Sequence, residues 1–301
     1  MPGHPALMTA SIRPPRPPRP APQRRDRPAV TATVRRARLD AELVRRGLAR
    51  SRGEAADLVA SGRVLVGGVP AQKPASAVRA DDPVRVTDPP DGQERWVSRG
   101  GHKLAHAIEV FGPHGLQVTG RRALDAGAST GGFTHVLLHH GAAHVIAVDV
   151  GYGQLAWSLQ TDDRVTVLDR TNVRHLEPAA IGAPVDLVVG DLSFISLLTA
   201  LPPLQRLAGP EADLVLLVKP QFEVGRDALG RDGVVRDPAL RRDAVRRVAD
   251  GALTRGLGTF GLTASPLPGP AGNVEYVIWL GAGGGGLADD VLDTAIAEGP
   301  Q

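Results

Sequence analysis

The feature that most constrains the fold is an alternation running from about residue 104 to residue 280. Five apolar runs, "RALDAGA" (122–128), "AHVIAVDV" (143–150), "RVTVLD" (164–169), "VDLVVGDL" (185–192) and "ADLVLLVK" (212–219), are separated by stretches with room for helices. Strands apolar on both faces need cover on both faces, and helices between them supply it, so the pattern predicts a parallel α/β sheet. A long basic helix is expected at 238–255, then strands at 258–267 and 273–280 joined through the tight loop "PGPAG". A Gly-rich hinge (281–286) and a short amphipathic helix, "LADDVLDTAIAE", follow.

Composition narrows the function classes. The 301 residues suffice for one large domain plus a small one. There is no cysteine, which excludes disulfides, thiolate nucleophiles and cysteine–metal sites. No apolar run reaches the roughly 18–20 residues that span a bilayer. The N-terminal arginines have no apolar stretch behind them, so no secretory signal is expected and the cytoplasm is the expected compartment. Net charge is +3, but nine arginines and a single acidic residue fall within residues 1–38, so the rest of the chain is net acidic. Basic character concentrated at one end suits a polyanionic partner. Residues 1–34, rich in proline and without periodicity, read as a disordered basic extension.

Residues 35–88 form a compact pattern. "RLDAELVRRGLA" (38–49) puts Leu39, Leu43 and Val44 on one helical face, and "SRGEAADLVASG" (51–62) opens with a capping-box signature and closes on glycine. "RVLVGGVP" (63–70) and "DDPVRVTD" (81–88) supply a small β-hairpin. Two short helices and a hairpin resemble the alpha-L RNA-binding module named after the fourth small-subunit ribosomal protein. That resemblance implies a phosphate-facing surface of Arg38, Arg45, Arg46, Arg50 and Arg52, with Lys73 beyond it. A solvated helix pair with no ligand is the plainer alternative. The linker, 89–101, carries Arg95 and Arg99, both read as RNA contacts, and Trp96, read as a hinge anchor.

At the end of the first strand of the α/β unit, "LDAGASTGGFT" (124–134) combines glycines with a helix start, which brings backbone and free N–H groups near a ligand. The spacing is not the dinucleotide fingerprint. Asp149, ending the second strand, is placed to accept from two ribose hydroxyls. The loop and its acidic partner resemble the S-adenosylmethionine pattern, with Asp125, Gly127, Ser129, Gly131, Gly132, Phe133, Thr134 and Asp149 as candidate cofactor residues. "LDRTN" (168–172) offers Asp169 and Asn172 for the adenine. Both are equally readable as turn formers.

Ligands of open α/β sheets lie beyond the carboxyl ends of the parallel strands. Asp191 ends the fourth strand and Lys219 the fifth. Glu275 sits at the start of a last strand expected to run antiparallel, hence at the same edge. Lys103 opens the helix before the sheet. Two salt bridges at a sheet edge would be the structural reading of these four. Phe194 and Phe222, just beyond Asp191 and Lys219, either stack on a nucleobase or pack beneath the edge, and "VGRDALGRDGVVRDP" (224–238) reads as a basic loop.

The order Lys103, Asp191, Lys219, Glu275 resembles the tetrad of FtsJ-type ribose 2′-O-methyltransferases. The wording "RWVSRGGHKL", "DVGYGQLAW", "GDLSFISL", "LVKPQFEVG" and "LPGPAGNVEY" resembles the hemolysin A (TlyA) family of rRNA 2′-O-methyltransferases. The resemblance implies a seven-stranded, Rossmann-like methyltransferase domain (102–281) behind the alpha-L domain, with residues 282–301 as hinge and helix. It further implies S-adenosylmethionine as cofactor, no metal, ribosomal RNA or ribosomal subunits as partner, and a monomer. Cytidine 2′-hydroxyls of large-subunit and also small-subunit rRNA are the implied targets. Lys219 then acts either as a cation beside the hydroxyl or as its base. Rival readings are an assembly factor that binds RNA without methylating it, a cytolysin, and a small-molecule methyltransferase.

Overall fold

The computed structural model describes residues 36–49, 52–60, 62–87, 96–225, 229–230 and 232–300. Arg50, Arg95, Ser51 and the extension 1–34, all named above, lie outside them. In the N-terminal unit, β1 (Arg36–Arg38) leads into α1 (Leu39–Arg45), followed by α2 (Arg52–Ala60), β2 (Val64–Val66), β3 (Val69–Pro70), β4 (Ala77–Arg79) and β5 (Val84–Val86). Leu39, Leu43, Ala55, Val59, Val64 and Val78 bury together as its core. The expected pairing of 63–70 with 81–88 is present as antiparallel β2–β5, with β3 on the other side of β2. The β1–β4 pair was not anticipated from sequence. Its strands, "RAR" and "AVR", are too short and too basic to show an apolar period.

The larger unit opens with α3 (Gly100–Phe111), which buries Leu104, Ala107 and Phe111. The order continues β6 (Arg122–Ala126), α4 (Gly132–His139), β7 (His144–Val148), α5 (Trp157–Gln160), β8 (Val165–Leu168), α6 (Pro178–Ile181), β9 (Val185–Gly190), α7 (Leu197–Leu207) and β10 (Ala208–Val218). It ends α8 (Pro220–Glu223), α9 (Pro238–Leu253), β11 (Gly258–Ala264), β12 (Tyr276–Gly281) and α10 (Asp289–Glu298). These strands form one seven-stranded sheet in the order β11-β12-β10-β9-β6-β7-β8. β12 is antiparallel to both neighbours, while β8, β7, β6, β9 and β10 pair in parallel.

Both faces of the sheet are covered. One core joins Leu201 and Leu204 of α7, Val245 and Val248 of α9 and Leu292 of α10 to Leu124, Val188, Leu214 and Leu216. The other joins Leu104 of α3 and Val136 and Leu137 of α4 to Ala123, Leu187, Val215 and Leu217. Neighbouring residues of β10 thus enter opposite cores, which is why its sequence is apolar without interruption. Two boundaries differ from the sequence reading. β10 begins at Ala208, four residues early, because a register shift between Ala208 and Asp213 carries the pairing past Pro210. The connection between β11 and β12 is longer than "PGPAG", so Glu275 stands just before its strand. Among the described residues, no helix is long and apolar enough to cross a membrane.

Candidate active site

Four charged side chains meet at the carboxyl edge of the sheet. Lys103, one turn into α3, lies 2.5 Å from Glu275 Oε2 and 3.7 Å from Asp191 Oδ2 through its Nζ. Lys219 Nζ lies 2.5 Å from Asp191 Oδ1 and donates to Ser193 Oγ at 2.9 Å. The charges therefore alternate along a line, Glu275, Lys103, Asp191, Lys219. Lys103, Lys219 and Glu275 are buried. Burying a charge is costly unless an opposite charge and hydrogen bonds replace water, and two cations facing two anions meet that condition. Burial alone pushes the Asp191 carboxyl up, but the Lys103 and Lys219 ammoniums outweigh it and hold the group below the ordinary carboxylate value.

The local sequence explains why the lysine stops where it does. Lys219 is extended (φ −111°, ψ 100°), as a residue before proline prefers, and Pro220 takes the first position of α8, where its missing N–H costs nothing. Asp191 is fastened from the other side, its N–H donating to Ala126 O at 3.1 Å. Gly127, at φ +86°, lies so close that a Cβ there would stand 2.9 Å from the Asp191 carbonyl oxygen. The glycine loop and the end of β9 are thus in direct backbone contact.

Beside the tetrad are two adjoining clefts. One, of about 500 Å³, is lined by Gly127, Ser129, Asp149, Asn172, Asp191 and Phe194 among others. The second, about 220 Å³, runs past Arg99, Lys103, Gly132, Phe133, Ser193 and Lys219. The larger is in the usual range for a small-molecule site. Asp149 is oriented by its loop, accepting from Ser129 N–H at 2.8 Å and Gly151 N–H at 2.7 Å, with lone pairs left on both oxygens. Asn172 lines the cleft while its Oδ1 caps a 3₁₀ turn through Arg174 N–H.

Three of the residues expected at the cofactor, Asp125, Gly131 and Thr134, stand behind the walls, and a fourth, Asp169, is half-buried in a neighbouring loop. Asp125 is fully buried, and one of its oxygens accepts from the Thr134 hydroxyl at 2.7 Å. Burial pushes the Asp125 carboxyl up to about 7, against the opposing hydrogen bonds from Thr134. Gly131 lies against Leu155 and Leu159. Asp169 turns to the Gly153 N–H at 2.7 Å. These residues shape the loops that line the clefts.

At the rim, Phe194 is 91% exposed and its ring centroid lies 5.3 Å from that of half-buried Phe222. Trp96 packs edge-on against His135 and His139, and a Cβ on Gly101 would collide with its side chain. In the N-terminal unit, Arg38 and Arg52 both donate to Asp40 Oδ2, at 2.8 and 3.0 Å, and Lys73 is exposed. Arg45 and Arg46 both hold Glu42. Arg46 alone is drawn inward, donating to the carbonyls of Asp82, Arg79 and Ala80. The arginine hydrogen bonds hold the Asp40 carboxyl well below its usual range, Arg38 foremost, and bring Glu42 down to about 2, Arg45 before Arg46.

Sequence reasoning missed Ser193, which braces Lys219, and Glu223, which ties two loops together. Their proximity to Asp191 and Lys219 along the chain was the available signal. Their partners, 26 and 27 residues away, were not legible.

Comparison with known proteins accords with this geometry. Residues 96–282 match the FtsJ-like methyltransferase family and residues 37–84 the S4 domain. The chain is 58% identical over 273 residues, 89% of its own length and 100% of the relative's, to the 16S/23S rRNA (cytidine-2′-O)-methyltransferase TlyA of Mycobacterium tuberculosis. It is 34% identical over 241 residues, 80% of this chain and 98% of the other, to Hemolysin A of Brachyspira hyodysenteriae. A solved structure of a hemolysin-named protein from Streptococcus thermophilus aligns with 88% of this chain and 96% of that one, with a TM-score of 0.70 and 34% identity. The chain belongs to the TlyA family of rRNA methyltransferases, in which an S4 domain precedes an FtsJ-like methyltransferase domain.

Proposed function

We propose that this chain transfers the methyl group of S-adenosylmethionine to the ribose 2′-hydroxyl of cytidine in ribosomal RNA, in the large subunit and also in the small one. The observation that carries the reading is the meeting of Lys103, Asp191, Lys219 and Glu275 beside a glycine-lined cleft. S-adenosylmethionine, when bound, supplies a methyl group on a positively charged sulfur, already a strong electrophile. The chain's own residues must then align a nucleophile and manage charge. Asp149, with its unused lone pairs, suits the cofactor's ribose hydroxyls, and the backbone of Gly127 and Ser129 suits close approach.

Lys219 acts as a cation in this reading. Of its three N–H groups, Asp191 and Ser193 engage two, and the third is left for the oxygen that attacks. The hydroxyl proton passes to water as the oxygen attacks, and a hydrogen bond from the ammonium stabilises the negative charge that then develops on that oxygen. Glu275 and Asp191 keep the two ammoniums oriented. Phe194, exposed at the rim with Phe222 behind it, offers a stacking face to a base turned out of its helix. Arg38, Arg45, Arg52 and Lys73 of the S4 unit, with Arg99 by the cleft, serve the RNA backbone.

The test is transfer of labelled methyl from S-adenosylmethionine to isolated ribosomal subunits, followed by mapping of 2′-O-methylcytidine. Lys219→Ala should bind the cofactor as wild type does and lose methyl transfer by at least about 100-fold. Undiminished transfer would remove Lys219 from the chemistry. Specific RNA binding without transfer by the wild type would favour an assembly factor.

A further inference from the structure

The loop after Asp191 and the helical turn after Lys219 are fastened to each other by one carboxylate. Glu223, buried at the end of α8, accepts from the Ser196 hydroxyl through Oε2 at 2.6 Å and from the Leu197 N–H through Oε1 at 2.7 Å. Ser196 is the N-cap of α7, and its hydroxyl accepts from Leu198 N–H. Glu223 thereby satisfies a donor that the start of a helix leaves free, with its negative charge at the favourable end of the helix dipole. Its own carbonyl accepts from Arg247 of α9 at 2.6 Å, so α7, α8 and α9 are joined at this residue.

The segment held by this fastening is the one that faces the substrate. Phe194 has a left-handed backbone, φ +62°, and remains almost wholly exposed. That conformation is costly for a non-glycine residue and persists only where the surroundings fix it. Phe222, against which the Phe194 ring lies, directly precedes Glu223. Ser193, directly before Phe194, is the hydroxyl that braces Lys219.

We infer that Glu223 is a positioning residue for methyl transfer: by tying Ser196 and Leu197 to α8, it keeps the Phe194–Phe222 rim at a fixed spacing from the Lys219 amine. The inference rests on the reading of this edge as an RNA methyltransferase site. A carboxylate that only capped α7 would affect stability and leave the chemistry of the folded enzyme alone. A carboxylate that sets the spacing controls the rate once substrate and cofactor are both bound.

Four full-length proteins distinguish the two: wild type, Glu223→Gln, Glu223→Ala and Ser196→Ala. Thermal midpoint, S-adenosylmethionine affinity by calorimetry and single-turnover methyl transfer to saturating ribosomal subunits are measured for each. Glu223→Gln should stay within about threefold of the wild-type rate, since an amide oxygen can accept from Leu197 and its NH₂ can donate to Ser196. Glu223→Ala should keep cofactor affinity within about twofold and lose at least about tenfold in rate. Ser196→Ala, which keeps the Leu197 bond, should fall between them, and it carries the test if Glu223→Ala does not fold. The inference is overturned if folded Glu223→Ala or Ser196→Ala transfers methyl at the wild-type rate. It is also overturned if Glu223→Gln is as slow as Glu223→Ala, or if cofactor affinity and rate collapse together. Failure of the wild type to methylate any subunit would instead strike the functional reading itself.

Discussion

At the scale of single residues, two carboxylates of similar sequence context meet opposite fates. Asp191 faces two ammoniums, which hold it ionised despite burial, whereas Asp125 has only Thr134 and is raised to about 7. In the folded protein Asp125 keeps a proton that the unfolded chain releases near its ordinary value of 3.8. Its contribution to stability is therefore complete below about pH 4 and is lost as pH rises towards 7, a change on the order of 4 kcal/mol. Asp125→Asn, neutral at every pH, should lack this component. Urea midpoints at several pH values between 5 and 8 should show the wild type losing stability relative to the variant as pH rises. Parallel curves would refute a protonated Asp125. The tetrad could be placed from sequence because each member adjoins an element whose direction the topology dictates. The separate role of Asp125 could not, since its burial comes from α4 folding Thr134 over it.

At the scale of elements, the site depends on how closely two helix starts approach. A Cβ on Gly132, the first residue of α4, would stand 2.4 Å from Ser98 Oγ and 2.7 Å from the Gly101 backbone nitrogen. Backbone cannot rotate away as a side chain can, so Gly132→Ala must push the start of α3 outward. Lys103 lies two residues beyond Gly101, and its 2.5 Å contact with Glu275 would be displaced. Overpacking of this kind costs roughly 1–3 kcal/mol, and a shift near 1 Å at reacting groups costs about 100-fold in rate. Gly132→Ala should thus lower the methyl-transfer rate far more than it lowers the thermal midpoint. Adding Ser98→Gly should not restore the rate, because the Gly101 contact remains; full restoration would show that the hydroxyl alone was the obstacle. The glycine loop was legible as a ligand loop, yet the sequence did not reveal that one of its glycines faces α3. Long apolar strands announce themselves by composition, whereas close approaches between helices depend on tertiary placement. The β1–β4 pair escaped for the complementary reason, having too few residues to form a pattern.

At the scale of the whole molecule, the proposed function assigns RNA binding to one unit and chemistry to the other, and the N-terminal arginines are not equivalent within that division. Arg38 and Arg52 are anchored to buried Asp40 while their guanidinium groups stay largely exposed, which limits their motion and leaves donors facing solvent. Arg46, although counted among the phosphate-facing residues on sequence grounds, is bound to Glu42 and three carbonyls and is mostly buried. Removing one cation that neutralises a phosphate reduces the slope of log affinity against log salt by about 0.7 for single-stranded RNA. Arg38→Ala with Arg52→Ala should therefore weaken rRNA binding and flatten that slope by about 1.4. Rate at saturating rRNA should be unchanged, since these residues contribute to binding the substrate and its transition state alike. Arg46→Ala should do the reverse in kind, lowering the melting temperature while leaving the salt slope intact. Titrations of rRNA fragments across a salt series, paired with KM and kcat, measure both. Were kcat to fall with Arg38 and Arg52 while the salt slope stayed fixed, those arginines would act through the catalytic edge and not through RNA phosphates.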